Sequence, residues 1–155
     1  MKLASIFAAG AFSALACAPS FAGLGDHAVS VTTDARALRA KSLSARPGTS
    51  ASWTRNELTL QDGLATEFSD ASGTVFAVSW KTQSMPDLSS LLGGHKGAFD
   101  SAQTQQGEKM RSPRRFAATA GDMTVLSTGH LRAFQGYAYL SSMLPQGFDL
   151  GELSK

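Results

Sequence analysis

The stretch Gly73-Thr74-Val75-Phe76-Ala77-Val78-Ser79-Trp80 decides the fold. From Val75 to Trp80 it mixes β-branched, aromatic and small residues without a charge, the composition of a strand and not of a helix. Alternation puts Phe76, Val78 and Trp80 on one face and Val75, Ala77 and Ser79 on the other. Both faces are apolar or small, so this strand requires cover on both sides. Upstream, residues 52–60 end in Gln61-Asp62-Gly63, and residues 64–69 end in Asp70-Ala71-Ser72-Gly73. Asp-Gly and Ser-Gly are hairpin punctuation, because Gly supplies the positive φ that such turns need. The three runs read as one meander, with Trp53 and Trp80 as packing residues. Arg55, Glu57 and Glu67 interrupt the apolar residues of the first two strands. Those strands are expected to be half-buried, with Arg55 pairing Glu57 or Glu67 across a solvent face.

Working outward, Ser84-Met85-Pro86-Asp87 is the strongest helix start in the chain. Ser84 caps, Asp87 follows three residues on, and Pro86 is tolerated in the first turn. Leu88, Leu92, His95, Phe99 and Ala102 then form one helical stripe. Gly93-Gly94 cuts across it at a cost of about 1 kcal/mol per Gly relative to Ala, so the helix is expected to break or kink there. Residues 103–118, polar and then basic, read as an irregular exposed connection. Residues 123–127 read as a strand, Thr128-Gly129 as a turn, and residues 130–140 as a returning strand with a bulge at Gly136. Leu144 to Phe148 packs the end down, and residues 149–153 form a last helical turn. Before the meander, residues 23–33 read as a loose lead-in. Thr33-Asp34 caps a short surface helix over 34–43, and residues 43–51 have loop composition. The predicted architecture is a small single α+β domain. Its mostly antiparallel sheet has about five strands, a meander plus a C-terminal hairpin, under one main helix with a short N-terminal helix beside it.

The N-terminus speaks to compartment. Met1-Lys2 is basic, residues 3–16 are apolar and uncharged, and Ser20-Phe21-Ala22 offers small residues where a signal peptidase reads. This pattern predicts a signal peptide over residues 1–22, cleaved after Ala22, and a periplasmic or extracellular domain over residues 23–155. A rival processing route lipidates Cys17 and anchors the chain, but the branched Leu15 stands two places before the Cys instead of three. Cys17 is the only cysteine. The predicted mature domain therefore has no disulfide framework, no thiol nucleophile and no Cys-ligated metal. With 14 Lys and Arg against 12 Asp and Glu, the net charge of +2 is no nucleic-acid footprint. No later segment is long and apolar enough to span a membrane.

Candidate sites are few. His130 and Arg132, two residues apart on an expected strand, form a possible anion or carboxylate site, or a structural pair in which Arg132 meets Glu57 or Glu67. Lys109, Arg111, Arg114 and Arg115 make the one basic cluster, a solvated loop or a contact for acidic envelope components. His27, His95 and His130 have no metal-ligand spacing. No nucleophile elbow or comparable catalytic pattern occurs, so no catalytic residue, metal or cofactor is assigned.

Two stretches resemble a known family. One is residues 73–80 followed by Met85-Pro86-Asp87-Leu88 and Leu91-Leu92-Gly93. The other is Gly129-His130-Leu131-Arg132-Ala133-Phe134-Gln135-Gly136-Tyr137-Ala138-Tyr139-Leu140 with Leu144-Pro145-Gln146-Gly147. Together, over residues 53–147, they resemble the proteobacterial secreted proteins grouped as domain of unknown function 2844. The resemblance implies export by a cleaved signal and one small domain, and it supplies no catalytic residue. Tyr137 departs from the family pattern, standing where a basic residue is usual. Gly94-His95-Lys96-Gly97 stands where an aromatic is common. The expectation is a non-catalytic periplasmic or cell-surface binding module, with an envelope protein or an anionic envelope component as partner. A small exported enzyme with a site near His130 and Arg132 is the alternative.

Overall fold

The computed structural model describes residues 23–27, 31–48, 52–107 and 115–155. Residues 1–22, with the signal-peptide and Cys17 expectations, lie outside the described residues, as do Lys109, Arg111 and Arg114.

The sheet has seven antiparallel strands, not five. In chain order they are β1 (Ser42–Pro47), β2 (Trp53–Thr59), β3 (Gly63–Asp70), β4 (Val75–Thr82), β5 (Arg115–Ala120), β6 (Met123–His130) and β7 (Ala133–Leu140). Their spatial order is β1-β2-β3-β4-β7-β6-β5. The meander is extended at one edge by β1, and β7 docks on β4 so that the C-terminal strands complete the sheet. The domain is thus mostly β. Both added strands overlap segments where loop was expected, β1 (Ser42–Pro47) residues 43–51 and β5 (Arg115–Ala120) residues 103–118. Every residue of β1 is exposed and it is held mainly by backbone pairing to β2, so its side chains carry no hydrophobic alternation.

One face of the sheet is covered by three helices: α1 (Val31–Ala37), α2 (Leu88–Leu92) and α3 (Lys96–Gly107). Leu88, Leu91, Leu92 and Phe99 pack there on Leu58, Val78, Trp80, Val125 and Ala138. The expected break falls at Gly93, whose φ of 50° and ψ of −128° end α2 and open a single 3-10 turn. The cap is Asp87, which accepts a hydrogen bond from the Ser89 amide at 2.9 Å. Ser84 instead donates its amide and hydroxyl to Asp62 in the β2–β3 turn. The Ser84 hydroxyl, outweighing slight burial, holds the Asp62 carboxyl below its ordinary range. Met85 is exposed.

The segment 23–27 is pinned, not loose. Leu24 is buried, and its amide donates to the Leu91 carbonyl at 3.1 Å. Gly25 donates to the Val75 carbonyl, and Val75 to that of Asp26, both at 2.8 Å. Helix α1 starts three residues earlier than expected and ends at Ala37, and Arg39, in the turn beyond it, takes a left-handed φ of 52°. Ala40 donates to the Ala35 carbonyl and Arg39 to that of Arg36, the two bonds of a Schellman cap. Asp34 is therefore inside the helix, and it is buried.

Among the described residues the other face, here called the open face, is covered only in part, by the C-terminal segment. Phe148 meets Trp53, Phe68 and Phe76 edge-on, with ring centroids 5.2, 5.7 and 4.9 Å apart. Leu153, in the closing 3-10 turn Leu150–Ser154, is buried in the same cluster. Phe76 belongs to this cluster and not with Val78 and Trp80, because the β3–β4 register shifts between Phe68 and Ser69. Phe68 stands opposite Ala77 and Ser69 opposite Val75, which leaves Phe76 as the extra residue of a bulge. Phe76 and Ala77 enter the open-face cluster, while Val75, Val78 and Trp80 enter the helical-face core.

Gly136, expected as a bulge, is regularly paired on both sides, to Trp80 of β4 and Ser127 of β6. It is glycine for space: a Cβ there meets the Trp80 ring at 2.4 Å and the Leu126 carbonyl oxygen at 2.5 Å.

Candidate functional site

The strand register lays out the open face in cross-strand rows. One row runs Arg55, Phe68, Ala77, Tyr139, and the C-terminal segment covers the aromatic residues gathered there. The next runs Glu57, Thr66, Ser79, Tyr137, Leu126. The third runs Leu64, Lys81, Gln135, Thr128. Ser79 is the smallest residue of the middle row, and the C-terminal segment stops beside it. The result is a groove of about 150 Å³, floored around Ser79 and Gly136 and walled by Leu64, Leu126, Tyr137 and Leu153. Hydroxyls of Thr66, Ser79 and Tyr137 stand beside apolar walls. Lys81 and Lys155 are its charged lining residues.

Charge at the rim is settled pair by pair. Arg55 Nε lies 2.9 Å from Glu57 Oε1, one of the two pairings the sequence predicts. Arg55 also reaches Glu152, with Nη1 3.9 Å from Oε2, and Lys155 pairs with Glu152. Glu67, the alternative partner, is on the helical face, fully buried, and Asp34 of α1 is equally buried beside it. Burial first, then the charge of Asp34 and a hydrogen bond with it, push the Glu67 carboxyl up to about 9. Glu67 is thus protonated at neutral pH, its proton stabilising two carboxyl groups in one apolar site. Neither groove described here is lined by Asp34 or Glu67. The pair acts on the fold, tying α1 to β3, next to the Asn56–Ser69 hydrogen bond of 3.3 Å.

The His130–Arg132 pair does not form as a two-residue step along one strand. The β6–β7 turn lies at Leu131-Arg132, later than the expected Thr128-Gly129, so His130 ends β6 and Arg132 sits in the turn with a φ of 61°. Both are exposed, and among the described residues Arg132 makes no ion pair with Glu57 or Glu67. His130 lines a second groove of about 320 Å³ with Met85, Phe99, Phe116, Leu131 and Phe134. Two of its lining residues, Gln103 and Phe116, flank residues 108–114, which lie outside the described set. Arg115 is exposed at the start of the edge strand β5. Of the sequence-named residues that lie among the described ones, Tyr137 lines the open-face groove and His130, Arg132 and Arg115 do not.

The family model described as "Protein of unknown function (DUF2844)" matches residues 20–153, nearly the whole chain. The chain belongs to the DUF2844 family. No curated protein and no solved structure matches it. In this DUF2844 member, the motif around Gly136 has a physical reason: a side chain there collides with Trp80 of the other motif. The two stretches that carry the resemblance are the two strands that pair at the centre of the sheet. Among the described residues no helix is long and apolar enough to cross a membrane, and no group of three or more His, Cys, Asp or Glu residues is arranged to hold a metal ion.

Proposed function

We propose that this DUF2844 protein is an exported, non-catalytic binding module that takes its ligand in the open-face groove over Ser79. The observation that carries the reading is a depression in the open face that the described C-terminal segment covers only in part, lined by half-buried Ser79 and Tyr137 and by buried Thr66, with leucine walls. Concave sites with apolar walls and a few placed polar groups are the usual form of a ligand site. Export rests on the leader pattern of residues 1–22 and on the cysteine-free remainder. A catalytic reading lacks support at this groove. It has hydroxyls and lysines but no histidine or carboxylate to act as a base on them.

The test is occupancy. Native mass spectrometry of the protein after exposure to envelope extract is expected to show a bound species on the wild type. Ser79→Trp, which fills the groove from its floor, abolishes that species while the melting temperature stays within a few degrees. The same adduct on both proteins, or none on either, contradicts the reading.

A further inference from the structure

The groove's chemistry narrows the ligand. Resting on the binding-site reading above, we propose that it takes a small apolar acid: a short acyl or aryl group carrying one carboxylate, with the head at Lys81.

The register places the parts. Lys81 stands between Leu64 of β3 and Gln135 of β7 in one cross-strand row, while Ser79 stands between Thr66 and Tyr137 in the next. An apolar body lying over Ser79, between the walls of Leu126 and Leu153, brings a head group one row away to the Lys81 ammonium. The hydroxyls of the Ser79 row are donors for a second carboxylate oxygen.

Charge selects the sign of that head. The lining includes two lysines and no acidic side chain. Among the described residues Lys81 makes no ion pair. Lys155 is engaged with Glu152, which leaves Lys81 as the available cation. The acid nearest in the row pattern is Glu57, next to Thr66, and it is held by Arg55 at 2.9 Å and Arg46 at 4.0 Å. Among the described residues no acidic side chain pairs with the Lys81 ammonium, and an anion is its complementary ligand.

Size selects the rest. At about 150 Å³ the space lies below the ~300–1,000 Å³ of sites that enclose a drug-sized molecule. It accommodates one short chain or one ring. A hydrophobic side chain of a partner protein, flanked by an acidic residue, is the competing occupant.

The experiment titrates the purified chain with octanoate, 1-octanol and octylamine, reading amide shifts of residues 64–66, 79–81 and 135–137 by NMR. Octanoate is expected to bind at millimolar or tighter affinity with shifts confined to those strands. Octanol binds about tenfold more weakly and octylamine not at all, the tenfold being the order expected for a hydrogen bond to a charged group. Lys81→Gln, at an exposed position, lowers octanoate affinity to the octanol level and leaves octanol unchanged. Equal binding of octanoate and octanol, or no effect of Lys81→Gln on octanoate, overturns the acid class but not the groove as a binding site. No octanoate binding at ten millimolar overturns the proposal in favour of a macromolecular partner. The groove reading fails separately, through the Ser79→Trp comparison.

Discussion

At the scale of the residue, Glu67 carries the most consequence. Its carboxyl is fully buried beside Asp34 and is raised from the ordinary 4.5 to about 9. An acid whose pKa is higher folded than unfolded binds its proton more tightly in the native state. Its contribution to stability is complete below about pH 4.5 and is lost as pH rises through about 9. Within that window each titrating proton changes stability by at most about 1.4 kcal/mol per pH unit. Denaturant unfolding of the wild type is expected to show falling stability from pH 5 to pH 9. Glu67→Gln, neutral at every pH and of the same shape, flattens that slope and is the more stable protein at pH 8 on the same linkage argument. Parallel pH profiles for the two proteins rule this account out. The sequence places Asp34 at a helix N-cap and Glu67 on a solvent face. Nothing in the local pattern distinguishes a carboxylate facing water from one facing a second carboxyl group, because the distinction depends on which helix covers which strand.

At the scale of the element, the β4–β7 pairing joins the meander to the C-terminal strands, and its tightest point is Gly136 against Trp80. A Cβ at 2.4 Å from the ring and 2.5 Å from a backbone carbonyl cannot be absorbed by one rotamer change. Gly136→Val is expected to cost about 3 kcal/mol or more, the range of overpacked cores, and to reduce protection of β4 and β7 amides in hydrogen exchange. A variant as stable as the wild type places Trp80 elsewhere. The central strands were legible because they bear apolar and aromatic residues between Gly turns. The edges were not: β1 offers Ser, Ala, Arg and Pro with one half-exposed leucine, and backbone pairing needs no side-chain pattern. For β5 a faint signal exists, since Phe116, Ala118 and Ala120 alternate with exposed residues before the Gly121-Asp122 turn. The bulge that moves Phe76 to the open face leaves no mark in composition, so strict alternation sends it to the wrong side.

At the scale of the whole molecule, among the described residues three helices cover one face of the sheet and the C-terminal segment covers part of the other. The remainder is the groove, with Tyr137 as the one candidate residue that sequence and structure both bring to it. Tyr137 was legible as a departure from the family pattern. Ser79 and Lys81 were not, because a groove is made by the register of four strands and by where the last residues of the chain come to rest. Export belongs to this scale too. Intact-mass measurement of protein recovered from its native host is expected to begin at Gly23, whereas a lipid-bearing mass beginning at Cys17 replaces cleavage with anchoring.

The binding-module proposal stands on the uncovered part of the open face being the working surface. The most direct measurement is an amide NMR spectrum of the isotopically labelled chain, with and without envelope extract. The account predicts perturbed amides in β3, β4, β7 and β6 around Thr66, Ser79, Lys81, Leu126 and Tyr137, with the β1 edge and the His130–Ala133 tip unmoved. Perturbations centred on that tip or on β1, with the groove silent, contradict it.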